Sequence, residues 1–197
     1  MKLNLGCGST KIKGYINIDV EKSCKPDLVF DFTRKNLPYK IESVDEILFF
    51  HCIEHIRKKY HRKILLDCAR VLKLGGKIYI SYPNFWECAQ RWHENTGGLK
   101  DFWEATLYGR QLYESDFHVC AMNPDELTNL LYECGFRDIV SKPESEEIYN
   151  TITTGVKSKP PSPSYETTVA EDFKRMKVCK LNMPLFLQSL NKAIPQL

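Results

Sequence analysis

The feature that most constrains this chain is that glycines or acids end each of its first three predicted strands. The strand Lys2–Leu5 runs directly into Gly6-Cys7-Gly8. The next two strands each end in a carboxylate, over Tyr15–Asp19 and Leu28–Asp31. Because the carboxyl ends of parallel strands share one edge of a sheet, where open α/β folds bind ligands, we expect these three strand ends to form one site.

The rest of the pattern alternates strand-like and helical segments, which favours an α/β fold with mostly parallel strands. Apolar periodicity predicts a helix over Arg62–Leu72 that stops at Gly75-Gly76, and Asn123-Pro124 predicts the start of another helix. The other predicted elements are strands at Glu46–Phe50, Lys77–Ser81, Arg137–Ser141 and Ile148–Val156, and a helical region at Phe85–Tyr113.

The first crossover of this predicted sheet is unusually short. Only Ser9–Gly14 separates Gly8 from Tyr15, whereas a parallel crossover normally takes about a dozen residues or more. We therefore expect a turn or a single helical turn there instead of a full helix.

Composition places the chain among ordinary globular proteins. It has 197 residues, of which 43% are hydrophobic and 27% charged, and its 28 basic and 25 acidic residues give a net charge of +3. The eight cysteines form no C-x-x-C pair, so we expect reduced thiols. Without a long apolar run or a secretory pattern after Met1, we expect no membrane span and a cytoplasmic location.

The domain boundary is predicted from a Pro- and Ser-rich segment. Residues 158–164 (SKPPSPS) have the composition of a linker. We expect a domain at 1–157 and a C-terminal helical or mobile tail at 165–197. The role of the tail and the oligomeric state stay open.

The order and spacing of the blocks resemble class I S-adenosylmethionine-dependent methyltransferases, closest to a compact bacterial and phage-type branch that begins LNLGCG…GYINID. The resemblance covers about residues 2–157 and includes Asp31-Phe32, His51-Cys52-Ile53-Glu54-His55 and Arg70-Val71-Leu72-Lys73-Leu74-Gly75-Gly76. It implies a Rossmann-like, doubly wound, mostly parallel seven-stranded sheet. It also implies S-adenosyl-L-methionine as cofactor and methyl transfer as the reaction.

The resemblance also implies roles for individual residues. The backbone of Gly6, Cys7 and Gly8 would contact the cofactor, and the Asp19 carboxylate would bind its ribose. The Asp31 carboxylate and the Phe32 amide would lie at its adenine, and the His51 imidazole would lie near its methionine part. A hydroxyl acceptor also needs a general base near pH 7, for which His51 and His118 are the candidates.

The acceptor is expected to be a small molecule or a glycan, the glycan by family analogy alone. We do not expect a nucleic acid, because Phe50-His51-Cys52-Ile53 after the fourth strand lacks the blocks of base methyltransferases. A catalytically inactive cofactor-binding or scaffold protein of the same fold is the alternative function.

A zinc-dependent hydrolase is a further alternative, since His51-Cys52-Ile53-Glu54-His55 matches the H-x-x-E-H signature. That signature places both imidazoles on one face of a helix. Here Glu46–Phe50 leads straight into His51, so the motif straddles a strand end, and we expect no metal.

Overall fold

The computed structural model describes residues 1–94, 100–112, 114–144 and 149–158, all of which belong to one compact unit. Its strands are β1 (Lys2–Leu5), β2 (Ile16–Asp19), β3 (Leu28–Val29), β4 (Val44–Phe50), β5 (Leu72–Pro83), β6 (Phe136–Pro143) and β7 (Asn150–Lys157). Its helices are α1 (Lys58–Val71), α2 (Phe85–Glu94), α3 (Lys100–Tyr108) and α4 (Pro124–Glu133).

The seven strands form one sheet in the order β3-β2-β1-β4-β5-β7-β6. Strands β1 to β5 pair in parallel, and β7 is antiparallel to both β5 and β6. The mostly parallel seven-stranded sheet predicted from the sequence is therefore confirmed.

One face at the centre of the sheet is built from fully buried apolar residues. Leu3 and Leu5 of β1, and Ile47 and Phe49 of β4, have no exposed surface. Strand β4 is accordingly a nearly continuous apolar run from Ile47 to Phe50, whereas β1 alternates its two leucines with Lys2 and Asn4. Strand order reverses between β1 and β4, so a crevice opens beyond their carboxyl ends.

The short first crossover is confirmed, and side-chain amides hold it in place. Residues 6–15 contain turns and no helix. The Asn17 Oδ1 accepts hydrogen bonds from Ile12 N at 2.9 Å and from Asn4 Nδ2 at 3.0 Å, while Asn17 Nδ2 donates to Asp27 Oδ2 at 2.8 Å. This network links the loop to β1, β2 and the segment before β3.

Strand β5 begins five residues before its predicted start at Lys77, directly after helix α1. Helix α1 ends at Val71, and Leu72 is extended and fully buried as the first residue of β5. Gly75 and Gly76 lie inside this strand, not after the helix. A Cβ at Gly76 would lie 2.8 Å from Lys73 O, so close backbone approach explains the second glycine.

Predicted boundaries elsewhere hold within a few residues. Helix α4 begins as expected, with the Asn123 side chain accepting from Asp125 N at 2.9 Å and Pro124 in the first turn. The linker beyond Ser158 and the tail at 165–197 lie outside the described residues, so the domain division remains a prediction. Within the described ranges, no helix is long and apolar enough to cross a membrane.

Candidate active site

The carboxyl ends of β1, β2, β3 and β4 surround a cavity of about 260 Å³, here called the first cavity. Its lining includes six of the residues predicted from the sequence: Gly6, Gly8, Asp19, Asp31, Phe32 and His51. Cys7, the other predicted cofactor residue, lines an adjoining cavity instead. The predicted convergence of strand ends is thus present in the fold.

Glycine is required at the two positions of the first loop for different physical reasons. Both adopt positive φ, +65° at Gly6 and +49° at Gly8. A Cβ at Gly6 would lie 2.1 Å from Cys52 Sγ, so glycine is needed there for packing. A Cβ at Gly8 would meet nothing within 4 Å, which leaves the backbone of Gly8 open toward the cavity it lines.

Cys7 contributes to the turn through its backbone. Its N–H and that of Gly6 both donate to Ile18 O, at 3.1 and 2.8 Å. Its side chain is buried, and burial raises the pKa of the thiol to about 11. The Cys7 sulfur is therefore an un-ionised packing group near pH 7, in agreement with the expectation that only its backbone matters.

Asp19 is the carboxylate that organises the first cavity. It is 8% exposed; its Oδ2 accepts Gly8 N–H at 2.7 Å and its Oδ1 accepts Glu21 N–H at 2.8 Å. Each carboxylate oxygen can accept a second hydrogen bond, so Asp19 still has acceptor capacity at the cavity wall. It also fixes the position of the Gly8 backbone across the cavity.

Asp31 and Phe32 form the far end of the same cavity. The Asp31 Oδ1 accepts from Thr33 N at 2.9 Å and Thr33 Oγ1 at 2.5 Å, and its Oδ2 lies 3.1 Å from Arg34 Nε. The Phe32 ring is buried edge-to-face on Phe49, with centroids 5.8 Å apart. This end combines an oriented carboxylate with a fixed aromatic side chain.

His51 lies at the end of β4 with a positive φ of 47°, an uncommon conformation for a residue other than glycine. Its Nδ1 is 3.6 Å from Glu54 Oε1, and its Nε2 is 3.4 Å from Ser81 Oγ and 3.5 Å from Asn150 Nδ2. The Glu54 carboxylate raises the pKa of His51 above its ordinary value, burial opposes this, and Glu144 adds to it.

A second cavity, of about 600 Å³, adjoins the first. The two cavities share five lining residues, Gly6, Gly8, His51, His55 and Asp116. The wall of the second cavity combines aromatic rings with polar side chains, namely Phe50, Phe102 and Tyr149 with Asn4, Thr10, Thr106, Arg110 and Asn150. Its volume is in the range of sites for small organic ligands.

His118 also lines the second cavity, beside His55 and Glu54. The His55 and His118 rings pack edge-to-face with centroids 4.7 Å apart. Burial is the main cause that lowers the pKa of His118, and His55 adds to it. The fold thus brings both predicted catalytic histidines, His51 and His118, to one cavity.

Three residues of this region were not assigned by the sequence: Glu54, His55 and Asp116. Glu54 and His55 occur in the H-x-x-E-H pattern, which was considered only as a hydrolase motif. Asp116 is buried, accepts from Leu112 N at 3.2 Å, and lies 3.3 Å from Arg110 Nη2. The sequence signal that could have identified Asp116 is its place between Arg110 and His118, in a segment with several polar residues.

Two sequence comparisons relate part of this chain to methyltransferases. Residues 8–80 match the family model for a methyltransferase domain. A protein of Mycobacterium tuberculosis, named a probable S-adenosylmethionine-dependent methyltransferase, is 31% identical over 103 residues, which are 52% of this chain and 30% of that protein. The chain thus matches less than a third of the length of this curated relative.

Solved structures with a similar fold cover about four fifths of this chain. A crystal structure of a Pyrococcus horikoshii protein has a TM-score of 0.59 at 17% identity, covering 80% of this chain and 81% of that one. A methyltransferase structure from Archaeoglobus fulgidus, titled as SAM-dependent, has a TM-score of 0.57 at 17% identity, covering 79% and 85%. At these identities the likeness concerns the fold. Residues 8–80 thus resemble a methyltransferase domain, and the described residues share the fold of these solved structures.

Proposed function

We propose that the protein is an enzyme that transfers a methyl group from S-adenosyl-L-methionine to a small molecule or a glycan, with the cofactor in the first cavity and the acceptor in the second. The observation that carries this proposal is that the two cavities meet along a shared wall containing Gly6, Gly8 and His51. Donor and acceptor would therefore bind on either side of the same few residues.

The residues of the first cavity fit a nucleoside-bearing cofactor. Gly8 leaves open space where any other residue would place a Cβ, and Asp19 retains acceptor capacity for paired hydroxyl groups. Asp31 and Phe32 offer an oriented carboxylate and a buried ring at the other end. The cofactor supplies a sulfonium methyl group, already a strong electrophile, so the protein's part is placement.

In this arrangement the protein's own residues orient the acceptor and remove its proton. Holding two reactants in line contributes on the order of 7–11 kcal/mol to the lowering of the barrier. If the acceptor is a hydroxyl, the His51 imidazole takes its proton at Nε2, the nitrogen that faces Asn150 at the wall of the second cavity. Glu54 beside Nδ1 stabilises the resulting imidazolium.

The size and lining of the second cavity support the proposed acceptor class. About 600 Å³ is room for a small molecule or for one or two units at the end of a glycan. Phe102 and Tyr149 give it an aromatic side, with ring centroids 5.5 Å apart, and Arg110 and Asn150 provide hydrogen-bond donors. A cavity with such a lining suits polar ligands that also have an apolar face.

The test is calorimetric titration with S-adenosylhomocysteine, with NAD as the control ligand for a dinucleotide-binding fold. Saturable binding of S-adenosylhomocysteine but not NAD is the expected result. If a demonstrably folded protein binds neither, the proposed function is wrong and the scaffold alternative replaces it.

A second test addresses the proton acceptor. Because asparagine tolerates positive φ, His51→Asn should fold normally and still bind S-adenosylhomocysteine, while turnover of an identified hydroxyl acceptor falls by about 10²-fold or more. His93→Asn, an exposed histidine near the end of α2, is the matched control. Full activity in His51→Asn would exclude His51 as the base.

A further inference from the structure

We propose that Glu54, His55 and His118 bind one divalent transition-metal ion of the zinc and cobalt type in the wall of the second cavity. One carboxylate oxygen and one ring nitrogen from each histidine lie within 4.8 Å of one another. All three residues line the second cavity. The set differs from the H-x-x-E-H pattern, because His118 takes the place that the pattern gives to His51.

The first argument is the state of Glu54. Its side chain is 3% exposed, and neither carboxylate oxygen has a hydrogen-bond partner among the described residues. A buried carboxylate that accepts no hydrogen bond is unfavourable, and His51 supplies an opposite charge only when it is protonated. Protonation would remove the charge and still leave polar atoms unbonded, and His51 Nδ1 at 3.6 Å is beyond hydrogen-bond length. A cation held between this oxygen and the two imidazoles satisfies it.

The second argument is the orientation of His55. Its Nδ1 lies 3.0 Å from Phe117 O, so Nδ1–H donates to that carbonyl and Nε2 carries the lone pair. Metal-binding histidines commonly donate their other ring N–H to a backbone carbonyl in this way, which fixes both tautomer and ring orientation.

The backbone also holds the three residues in place. Glu54 and His55 belong to the 3-10 turn Ile53–His55, and Glu54 O accepts from Val119 N at 2.9 Å, next to His118. His118 N donates to Tyr108 O at 3.0 Å. Gly109 permits this close path, because a Cβ there would lie 1.9 Å from Asp116 O. The ligands are therefore on segments joined by backbone bonds.

The donor set indicates the class of metal. Two imidazoles and one carboxylate suit zinc, cobalt and neighbouring divalent ions, whereas magnesium and calcium prefer oxygen ligands alone. Bonds of about 2.0–2.2 Å would place the ligand atoms about 3.4 Å apart, so small side-chain rotations close the site. Three protein ligands leave one position open, as in catalytic sites.

The three residues line the cavity assigned to the acceptor, so the role of the ion rests on the proposed function. A bound divalent ion would coordinate an acceptor oxygen and make its hydroxyl more acidic. Binding of the metal itself does not depend on that function, and the two can be tested separately.

The experiment is titration of the chelator-treated full chain with Co²⁺, followed by visible absorption. The expected result is one equivalent of Co²⁺ with the strong visible bands of low coordination number, displaced by Zn²⁺. Glu54→Gln and His118→Ala should each weaken Co²⁺ binding about tenfold or more, and His93→Ala should leave it unchanged.

Several outcomes would overturn the site: no stoichiometric binding to the unmodified chain, equal binding in the ligand variants, or thiolate-to-cobalt absorption that indicates cysteine ligands. The unmodified chain gives an answer even if a variant fails to fold. Parallel titration with S-adenosylhomocysteine separates the two proposals. If the chain binds S-adenosylhomocysteine but not Co²⁺, only the metal site is overturned. If it binds Co²⁺ but not S-adenosylhomocysteine, only the proposed function is overturned.

Discussion

Asp19 organises the backbone at the cavity where we propose that the cofactor binds. Its two oxygens accept the Gly8 and Glu21 amides, at 2.7 and 2.8 Å, and so shape the first cavity before any ligand binds. Asparagine keeps the shape of this side chain but removes its charge and one of its two acceptor oxygens, so it weakens one of these amide bonds as well as any bond to a ligand.

The expected result of Asp19→Asn is a loss of about 10- to 100-fold in affinity for S-adenosylhomocysteine, because hydrogen bonds to a charged group contribute about 1.5–3 kcal/mol. Calorimetric titration measures it. Asp138→Asn is the matched control, since Asp138 is exposed on β6 with a positive φ that asparagine adopts readily. Unchanged affinity in Asp19→Asn would contradict the role of Asp19 in ligand binding.

Gly6 and Gly8 should fail in different ways when replaced by alanine. Gly6→Ala combines a left-handed backbone with a collision against Cys52, and should lower the free energy of unfolding by about 2–4 kcal/mol. Gly8→Ala costs only the backbone strain, about 1–2 kcal/mol, but its methyl group points into open space at the cavity.

Urea denaturation and S-adenosylhomocysteine titration of the two glycine variants distinguish these effects. Gly6→Ala should lose more stability than Gly8→Ala. Gly8→Ala should lose affinity beyond what its stability explains. If the order is reversed, the packing role assigned to Gly6 is wrong.

At the scale of elements, the turn Ile53–His55 is held in place by a histidine on α1. His61 is 4% exposed, and its Nε2 lies 3.1 Å from Ile53 O and 2.7 Å from Ile56 O. It therefore donates from helix α1 to the backbone on both sides of Glu54 and His55. Burial lowers the pKa of His61 below its ordinary value of 6.5.

This lowered pKa predicts a loss of stability in mild acid. Above pH 6.5 His61 is neutral in both the folded and the unfolded chain, so its contribution is complete. As the pH falls from 6.5 toward the lowered folded-state pKa, the unfolded chain takes up a proton that the folded chain does not, and stability is lost.

Urea denaturation between about pH 8 and about pH 5 measures this effect. The unmodified chain should lose more stability over this interval than His61→Gln, whose amide can still donate to a carbonyl but does not titrate. Equal losses in the two proteins would show that His61 does not carry the pH dependence.

At the scale of the whole molecule, strand β7 closes the sheet between β5 and β6 although it is the last of the strands in the part of the chain that the structure describes. Its final residue, Lys157, is fully buried, with Nζ 2.5 Å from Leu72 O and 3.3 Å from Glu42 Oε1. These contacts predict that the domain requires the whole of β7, including Lys157, where the sequence analysis places the end of the domain.

Two shortened chains test that division. A chain of residues 1–162 should unfold cooperatively and bind S-adenosylhomocysteine as the full chain does. A chain of residues 1–144 should lose cooperative unfolding, because β6 then has no neighbouring strand. Failure of the 1–162 chain to fold would show that the tail at 165–197 belongs to the domain.

The sequence alone determined the sheet, the strand ends and the first cavity, because each depends on residues close together in the chain. An apolar run identifies β4. Gly6 follows β1 directly, Asp19 is the last residue of β2, and Asp31 lies two residues after β3. Parallel pairing must then bring those strand ends to one edge. The end of α1 was predicted to within one residue, but β5 begins at Leu72 and not at Lys77, because the burial of Leu72 outweighed the local signal of two glycines.

The tertiary structure decided the second cavity and its cluster. Glu54 and His55 meet His118 only because the chain after α3 returns across the sheet edge and bonds to Glu54 O through Val119 N. Nothing local to either segment encodes that meeting. Burial of the Glu54 carboxylate likewise depends on everything packed around it, and this burial gives a three-residue cluster the chemistry of a metal site.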